Sequence, residues 1–157
     1  MEINKGYQPI GRMLNIILAE DDFDDRILFE DAIEDLPVVV QLHNFSNGKE
    51  LMKWLKRPRA NLPDVIFLDL NMPEKNGFAS LAEIKRDKKL QDIPVIIFSI
   101  ILDDRLIKQV YNDAAHYYIS KPVRIKELKF MIYITLKKIA DQDNPLPGFD
   151  NFILTTS

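Results

Sequence analysis

Residues 65–73 read VIFLDLNMP and place an acid, Asp69, behind four apolar residues and in front of another. An apolar run of this kind is typical of a strand in a parallel sheet that is covered on both faces. A carboxylate in such a setting carries a large desolvation cost unless it has a partner. The stretch therefore predicts a buried strand with a site for charged groups at its end.

Five apolar runs recur along the chain and predict five strands, at residues 14–19, 38–43, 65–70, 95–99 and 117–120. The run at 38–43 alternates at its end, so we expect this strand at an edge of the sheet. Apolar residues at helical spacing predict helices with core-facing stripes: Phe29, Ile33 and Leu36; Leu51 and Leu55; Phe78, Leu81, Ala82 and Ile84; Leu106, Val110 and Ala114; and Ile125, Leu128, Ile132, Leu136 and Ile139. This alternation predicts an α/β sandwich around a parallel sheet of five strands.

The composition excludes several classes of protein. The chain has 157 residues, of which 46% are hydrophobic and 29% charged, as in one ordinary soluble domain with a core of its own. A net charge of -3 does not favour nucleic acid as a partner. The absence of cysteine excludes disulfides and thiolate zinc sites, and two histidines are too few for a multi-histidine metal site. Without a membrane span or a signal peptide in the sequence, we expect a cytoplasmic protein with no membrane contact.

Polar residues follow the predicted strands at the edge where open parallel sheets bind ligands. Glu20 and Asp21 follow the first strand, Asp69 lies at the end of the third, Ser99 closes the fourth and Lys121 follows the fifth. We therefore expect three acids, a hydroxyl and a lysine along one rim. Taken singly, such acids often begin a helix, and a lysine before proline is an ordinary turn. The prediction depends on their joint occurrence.

The chemistry of this cluster is limited. Carboxylate and carbonyl oxygens suit a hard cation such as Mg²⁺. A carboxylate near such a cation and a lysine is able to act as a nucleophile toward a phosphoryl group. The cation and the lysine then offset the charge on the phosphoryl oxygens.

Four motifs in this order identify a family: AEDD at 19–22, LDLNMP at 68–73, PVIIFS at 94–99 and YISKP at 118–122. On these motifs the chain, from about Leu14 to Ile139, resembles the receiver domain of two-component response regulators. It is most similar to stand-alone, CheY-like receivers with an extended loop before the fourth strand. The resemblance implies a three-layer (βα)5 doubly wound sandwich of the flavodoxin-like class. We expect an N-terminal arm over 1–12, the receiver domain over 13–140 and a C-terminal tail over 141–157.

The resemblance also implies a phosphorylation site and a metal site. Asp69 corresponds to the phosphoacceptor of the family. The implied ligands of Mg²⁺, or Mn²⁺, are Asp69, Asp21 directly, Glu20 through water, and the backbone carbonyl of Asn71.

Further positions correspond to the groups that stabilise the phosphoryl group and respond to it. Ser99 corresponds to the switch hydroxyl, Lys121 to the lysine that pairs with the phosphoryl group, and Tyr118 to the aromatic switch residue. Pro122 corresponds to a proline that follows a cis peptide bond, a state that proline permits.

A single-domain response regulator is the function that this resemblance implies. It is not an enzyme, although it participates in its own phosphorylation and dephosphorylation. The implied partners are a sensor histidine kinase or phosphotransfer protein and a downstream protein on the fourth helix, fifth strand and fifth helix, with the chain a monomer or weak dimer. Two alternatives stay open: an interaction module that is not phosphorylated, and a phosphohydrolase with an aspartyl nucleophile. Asn71 argues against the second, because an amide cannot serve as a general acid.

Ile100 departs from the pattern, since receivers usually carry a small residue after the switch hydroxyl. A bulky side chain there crowds the approach to Asp69. We therefore predict slow exchange with small phosphodonors and a long-lived phosphoryl group.

The acids after the first strand fall into two groups. Asp22 and Asp25 have the spacing of a helix N-cap and its third residue, and Asp24 lies beside them at the positive end of the helix. Glu20 and Asp21 are expected to face Asp69, and their repulsion predicts a raised pKa for at least one of the acids.

The last helix is expected to end near Ala140, and the tail after it contains Pro and Gly residues that suggest a loose segment. Its apolar residues offer an alternative, in which the tail docks on the domain: Phe149, Phe152, Ile153 and Leu154.

Overall fold

The computed structural model describes residues 6–58, 61–100, 103–121, 124–141 and 145–154. Its strands are β1 (Leu14–Ala19), β2 (Val40–Phe45), β3 (Val65–Leu68), β4 (Val95–Ser99), β5 (Tyr117–Ser120) and β6 (Ile153–Leu154). Its helices are α1 (Phe23–Glu34), α2 (Gly48–Leu55), α3 (Gly77–Arg86), α4 (Asp104–Asn112) and α5 (Ile125–Ala140). Strands and helices alternate along the chain as the sequence predicts.

Neighbouring strands pair in parallel in the order β2-β1-β3-β4-β5-β6. The order of the strands reverses at β1, which lies between β2 and β3. In a doubly wound sheet, ligands bind beyond the carboxyl ends of the strands at such a reversal. β2 forms one edge of the sheet, as its alternating sequence predicts.

Three strand boundaries differ from the prediction, because β2 is shifted by two residues at both ends, to Val40–Phe45, and β3 ends early. β2 begins two residues late, because the N–H of Val38 donates to Leu36 O at 2.8 Å and the chain is still turning there. β3 ends at Leu68 instead of residue 70. Asp69 therefore lies just beyond the strand, although its N–H still donates to Ala19 O at 2.9 Å.

Helices cover both faces of the sheet. α1 and α5 pack on one face, and α2, α3 and α4 pack on the other. All four residues of β3 are buried as a result, which explains the unbroken apolar run. Among the described helices, none combines the length and the apolar character that crossing a membrane requires.

The predicted stripes on α4 and α5 are partly wrong, and on α3 only Leu81 and Ile84 of the predicted stripe are fully buried. On α4 the buried residues are Ile107 and Val110, whereas Leu106 is half-buried. Ala114 lies beyond the end of α4 in a left-handed conformation, with φ of 70°. On α5, Ile125 is exposed at the first turn, and the stripe continues through residues that are buried as predicted: Leu128, Ile132, Leu136 and Ile139.

The sixth strand extends the predicted five-stranded sheet. β6 pairs with β5 through Tyr118 opposite Ile153 and Ile119 opposite Leu154. Phe152, just before β6, is fully buried. Of the two possibilities for the tail, docking on the domain is the one found over residues 149–154.

The chain before β1 also packs on the domain. Ile10 is buried in the core beneath α1 and α5, and its N–H donates to Pro37 O at 2.9 Å. The Tyr133 hydroxyl on α5 donates to Gln8 O at 2.8 Å. These contacts hold residues 7–10 against the α5 side of the sheet.

Candidate functional site

The predicted rim residues lie at the ends of adjacent strands, and backbone hydrogen bonds to neighbouring segments hold Glu20, Asp69 and Lys121 in place. The N–H of Glu20 donates to Phe45 O at 2.9 Å, and the N–H of Lys121 donates to Ser99 O at 2.9 Å. The N–H of Asp69 donates to Ala19 O of β1, as described above. These three side chains, with Asp21, line a cavity of about 470 Å³, whereas Ser99 does not line it. Its lining residues are Glu20, Asp21, Asp22, Asp25, Asp69, Asn71, Met72, Pro73, Ile100 and Lys121.

Three carboxylates converge in this cavity. Glu20 is fully buried, Asp69 is 4% exposed and Asp21 faces solvent. One oxygen from each lies within 4.8 Å of the others. Oxygen donors of this kind fit a hard divalent cation, and an acid exposed to solvent leaves room for the waters that Mg²⁺ retains. Asn71 lines the same cavity, and its N–H donates to Asp69 Oδ1 at 3.3 Å.

Lys121 is the cation among these acids. Its Nζ lies 2.5 Å from Glu20 Oε1, 2.9 Å from Asp25 Oδ2 and 3.3 Å from Asp69 Oδ2. Lys121 Nζ also lies 5.4 Å from the centroid of the Phe98 ring, in the range of a cation–π interaction. Burial by itself lowers the pKa of Lys121, but the surrounding carboxylates outweigh burial and raise the pKa above its usual value. Lys121 therefore stays charged beside Asp69.

Glu20 has a raised pKa, as the sequence predicts for at least one of the acids. Burial is the largest cause of this rise, the contact with Lys121 opposes it, and the charge of Asp69 adds to it. Repulsion between the acids, which the sequence suggested as the cause, is thus secondary to desolvation. A divalent cation bound in the cavity would favour the charged form of Glu20.

Asp25 has two roles, of which the sequence predicted only one. It occupies the predicted position on α1, where its N–H donates to Asp22 Oδ1 at 2.9 Å and forms the N-cap. Its carboxylate also contacts Lys121. The signal was present in the sequence, because Asp25 precedes the core residue Phe29 by one helical turn and so lies on the same face of α1.

Ser99 and Tyr118 lie together beneath the cavity and are fully buried. Burial raises the pKa of Tyr118 to about 12, while the neighbouring Ser99 opposes this rise and the charge of Asp69 adds to it. The phenol of Tyr118 is therefore protonated near neutral pH. Its hydroxyl end is directed toward the site and its ring lies in the core of the α4 side.

Gly77 allows α3 to begin directly under Asp69. A methyl group at Gly77 would lie 2.1 Å from the carbonyl oxygen of Asp69, far inside any real contact. The N–H of Gly77 donates to Leu70 O at 3.0 Å, and Asn76 caps the helix by accepting from Ala79 N at 2.9 Å. The backbone of Asp69 is therefore held between β1 and the start of α3.

Ile100 lies at the mouth of the cavity with 68% of its surface exposed. Ile100 and Asp69 thus line the same cavity, and the effect of Ile100 on access to Asp69 stays a prediction. The cis bond expected before Pro122 lies outside the described residues.

Comparison with known proteins places this geometry in context. A family profile, described as response regulator receiver domain, matches residues 16–133. FilR2, a probable methanogenesis regulatory protein of Methanothrix harundinacea, is 28% identical over 117 residues, which cover 73% of this chain and 76% of that protein. The response regulator Rcp1 of Synechocystis is 28% identical over 121 residues, 74% of this chain and 82% of that protein. In contrast, the chain spans 30% to 61% of the length of four longer regulators that it resembles.

Solved structures agree with the sequence comparison. The phosphorylated cyanobacterial phytochrome response regulator RcpA superposes with a TM-score of 0.73 at 30% identity, over 87% of this chain and 100% of that one. The Mn²⁺-bound form of Rcp1 superposes with a TM-score of 0.72 at 26% identity, over 86% of this chain and 99% of that one. The fold thus has counterparts of known structure, one of them solved in a phosphorylated form and one in a Mn²⁺-bound form.

Proposed function

Because this chain belongs to the response regulator receiver domain family, we propose that Asp69 accepts a phosphoryl group from a sensor histidine kinase or a phosphotransfer protein. The observation that carries the proposal is the placement of Asp69. Its buried carboxylate opens on the cavity, faces the charged Lys121 and lies within 4.8 Å of oxygens of Glu20 and Asp21.

Transfer forms one bond and breaks one. A carboxylate oxygen of Asp69 bonds to phosphorus as the bond from phosphorus to the donor's imidazole nitrogen breaks, and the electron pair leaves with the imidazole. Lys121 stays protonated in this step and offsets the charge of the phosphoryl oxygens. Asn71 donates its N–H to Asp69 Oδ1 and holds the orientation of the carboxylate.

The acidic residues would hold the metal ion that this transfer needs. Asp21 and Asp69 would be direct ligands, Glu20 would act through water, and Asn71 would contribute its backbone carbonyl. A bound Mg²⁺ supplies charge stabilisation to the phosphoryl oxygens. Ser99 would donate its hydroxyl proton to one of them, and Tyr118 would follow the movement of Ser99.

Output is proposed to be a protein contact or onward phosphotransfer in the cytoplasm. We propose the face formed by α4, β5 and α5 as the contact surface. The edge of β5 is paired with β6, so a partner on this face also meets the tail.

Incubation with acetyl phosphate and Mg²⁺, followed by intact-mass measurement, tests the proposal. We expect one phosphoryl group per chain, located at Asp69 by peptide mapping. No addition from acetyl phosphate or from any phosphorylated kinase would support an interaction module. Continuous release of phosphate over many turnovers would support a phosphohydrolase.

Asp21→Ala is expected to weaken Mg²⁺ binding by at least about 100-fold, because it removes a direct charged ligand from a site with few protein ligands. Titration calorimetry measures the affinity. Asp24→Ala is the matched control, since Asp24 is an acid in the first turn of α1 that does not line the cavity. Equal losses in both variants would contradict the assignment of Asp21.

Ile100→Ala is expected to accelerate phosphorylation by acetyl phosphate by roughly tenfold, through easier access to Asp69. The lifetime of the phosphoryl group should shorten in the same variant. Val39→Ala is the control, because Val39 is a β-branched residue with the same exposed fraction, 68%, remote from the cavity. Unchanged rates in Ile100→Ala would show that Ile100 does not limit access.

A further inference from the structure

The tail strand, defined as residues 148–154, closes over Tyr118. The N–H of Tyr118 donates to Phe152 O at 3.0 Å, and Tyr118 pairs with Ile153 in the ladder between β5 and β6. The Phe152 ring centroid lies 6.5 Å from that of Tyr118 and 5.2 Å from that of Tyr111 on α4. Phe152 and Tyr118 are both fully buried in one cluster.

The hydroxyl end of Tyr118 is directed away from the tail strand and toward the proposed phosphorylation site. Its hydroxyl end lies beside Ser99, the residue proposed to donate to the phosphoryl group, and the charge of Asp69 acts on it. Tyr118 therefore borders the site with its hydroxyl, which is buried with no hydrogen-bond partner among the described residues, and contacts the tail strand through its ring and backbone.

We propose that the tail strand is an intramolecular ligand of the β5 edge and that its docking is coupled, through Tyr118, to phosphorylation of Asp69. This inference rests on the proposed function, since it takes Asp69 as the phosphoacceptor. The accessibility of the β5 edge then depends on phosphorylation, which is not the case in a receiver whose β5 edge is always free.

The sign of the coupling follows from the packing. Tyr118 cannot swing out of the core while Phe152 lies over it, so docking of the tail strand stabilises the buried position of the ring. Movement of Ser99 toward a phosphoryl group on Asp69 leaves space beside β4 that the Tyr118 phenol fills, which favours the same position. Two events that favour one conformation favour each other, so phosphorylation tightens docking.

Loss of the phosphoryl group has the opposite effect and releases the tail strand more often. Release leaves the backbone groups at the β5 edge unpaired and uncovers the apolar surface around Tyr111 on α4, which Phe149 and Phe152 cover in the docked state. An uncovered strand edge is a surface to which another chain can pair. The tail strand therefore sets how often this edge is accessible.

Hydrogen exchange of the full chain, with and without beryllofluoride and Mg²⁺, tests the coupling. Beryllofluoride mimics a phosphoryl group on a carboxylate. We expect at least about fivefold slower exchange at the Tyr118 amide and across residues 148–154, the lower end of typical couplings between sites. Calorimetry on the same samples measures beryllofluoride binding independently.

A variant tests the reciprocal effect. Phe152→Ala is expected to raise tail exchange in both states and to weaken beryllofluoride binding by the same factor by which beryllofluoride slows the tail. Ile153→Ala is the matched control, because its side chain is 40% exposed on the same strand.

The outcomes separate this inference from the proposed function. Beryllofluoride binding with unchanged or faster exchange of the tail overturns the coupling and leaves the function intact. Absence of beryllofluoride binding overturns both. The measurement on the unmodified chain decides the question even where Phe152→Ala fails to fold.

Discussion

Asp69→Asn is expected to take up no phosphoryl group from acetyl phosphate or from a phosphorylated kinase, under conditions that phosphorylate the unmodified chain fully. The amide has the shape of the carboxylate but neither its charge nor its nucleophilic oxygen. We expect no other acid of the cavity to replace it, because Glu20 is fully buried, Asp25 is paired with Lys121, Asp22 caps α1 and Asp21 is assigned to the metal ion. Intact mass measures the uptake directly.

The fold should survive this change, which makes the loss of uptake interpretable. Asp69→Asn removes the contact with Lys121 at 3.3 Å but also removes repulsion from Glu20. Because these effects oppose each other, we expect the free energy of unfolding in metal-free buffer to change by less than about 1 kcal/mol. Asp24→Asn is the control and should be phosphorylated normally. Uptake by Asp69→Asn at another residue would refute the assignment.

Gly77→Ala is expected to lower the free energy of unfolding by about 3 kcal/mol, the upper end of overpacking costs. The added methyl group would meet the Asp69 carbonyl oxygen at 2.1 Å and the Leu70 Cα at 2.7 Å, and both are backbone atoms that a rotamer change cannot move. Displacement of the Asp69 backbone should also weaken Mg²⁺ binding. Urea unfolding and calorimetry measure the two effects.

Gly11→Ala is the matched control, because a methyl group there has no heavy atom within 4 Å. We expect its stability to lie within about 0.5 kcal/mol of that of the unmodified chain. If Gly77→Ala were as stable as Gly11→Ala, the start of α3 would have room to move, and the close approach under Asp69 would not constrain the site.

The strands were predictable because each carries its signal locally. β1, β4 and β5 have the predicted bounds, since apolar runs bounded by polar residues leave little choice of register. β2 and α4 were less accurate: the start of β2 depends on a turn after α1, and α4 carries neighbouring apolar residues, Leu106 and Ile107, either of which can continue a stripe. Local spacing cannot choose between them, because the choice depends on which side the sheet lies.

The tail illustrates a second limit. Pro and Gly favour a loose segment, whereas Phe152 favours burial, and composition does not decide between these tendencies. The decision comes from the space between Tyr111 and Tyr118, which Phe152 fills. Residues far apart in sequence define that space, so it exists only in the folded chain.

By itself, the sequence determined the order of elements and the chemical character of the site. VIFLDLNMP already indicates a buried strand followed by a carboxylate, because an apolar run and the cost of burying a charge are local properties. Only the tertiary structure decided that Asp25 joins Lys121, that Gly77 holds Asp69 from below and that the tail covers Tyr118. These contacts depend on distances across neighbouring strands and helices, which no local spacing specifies.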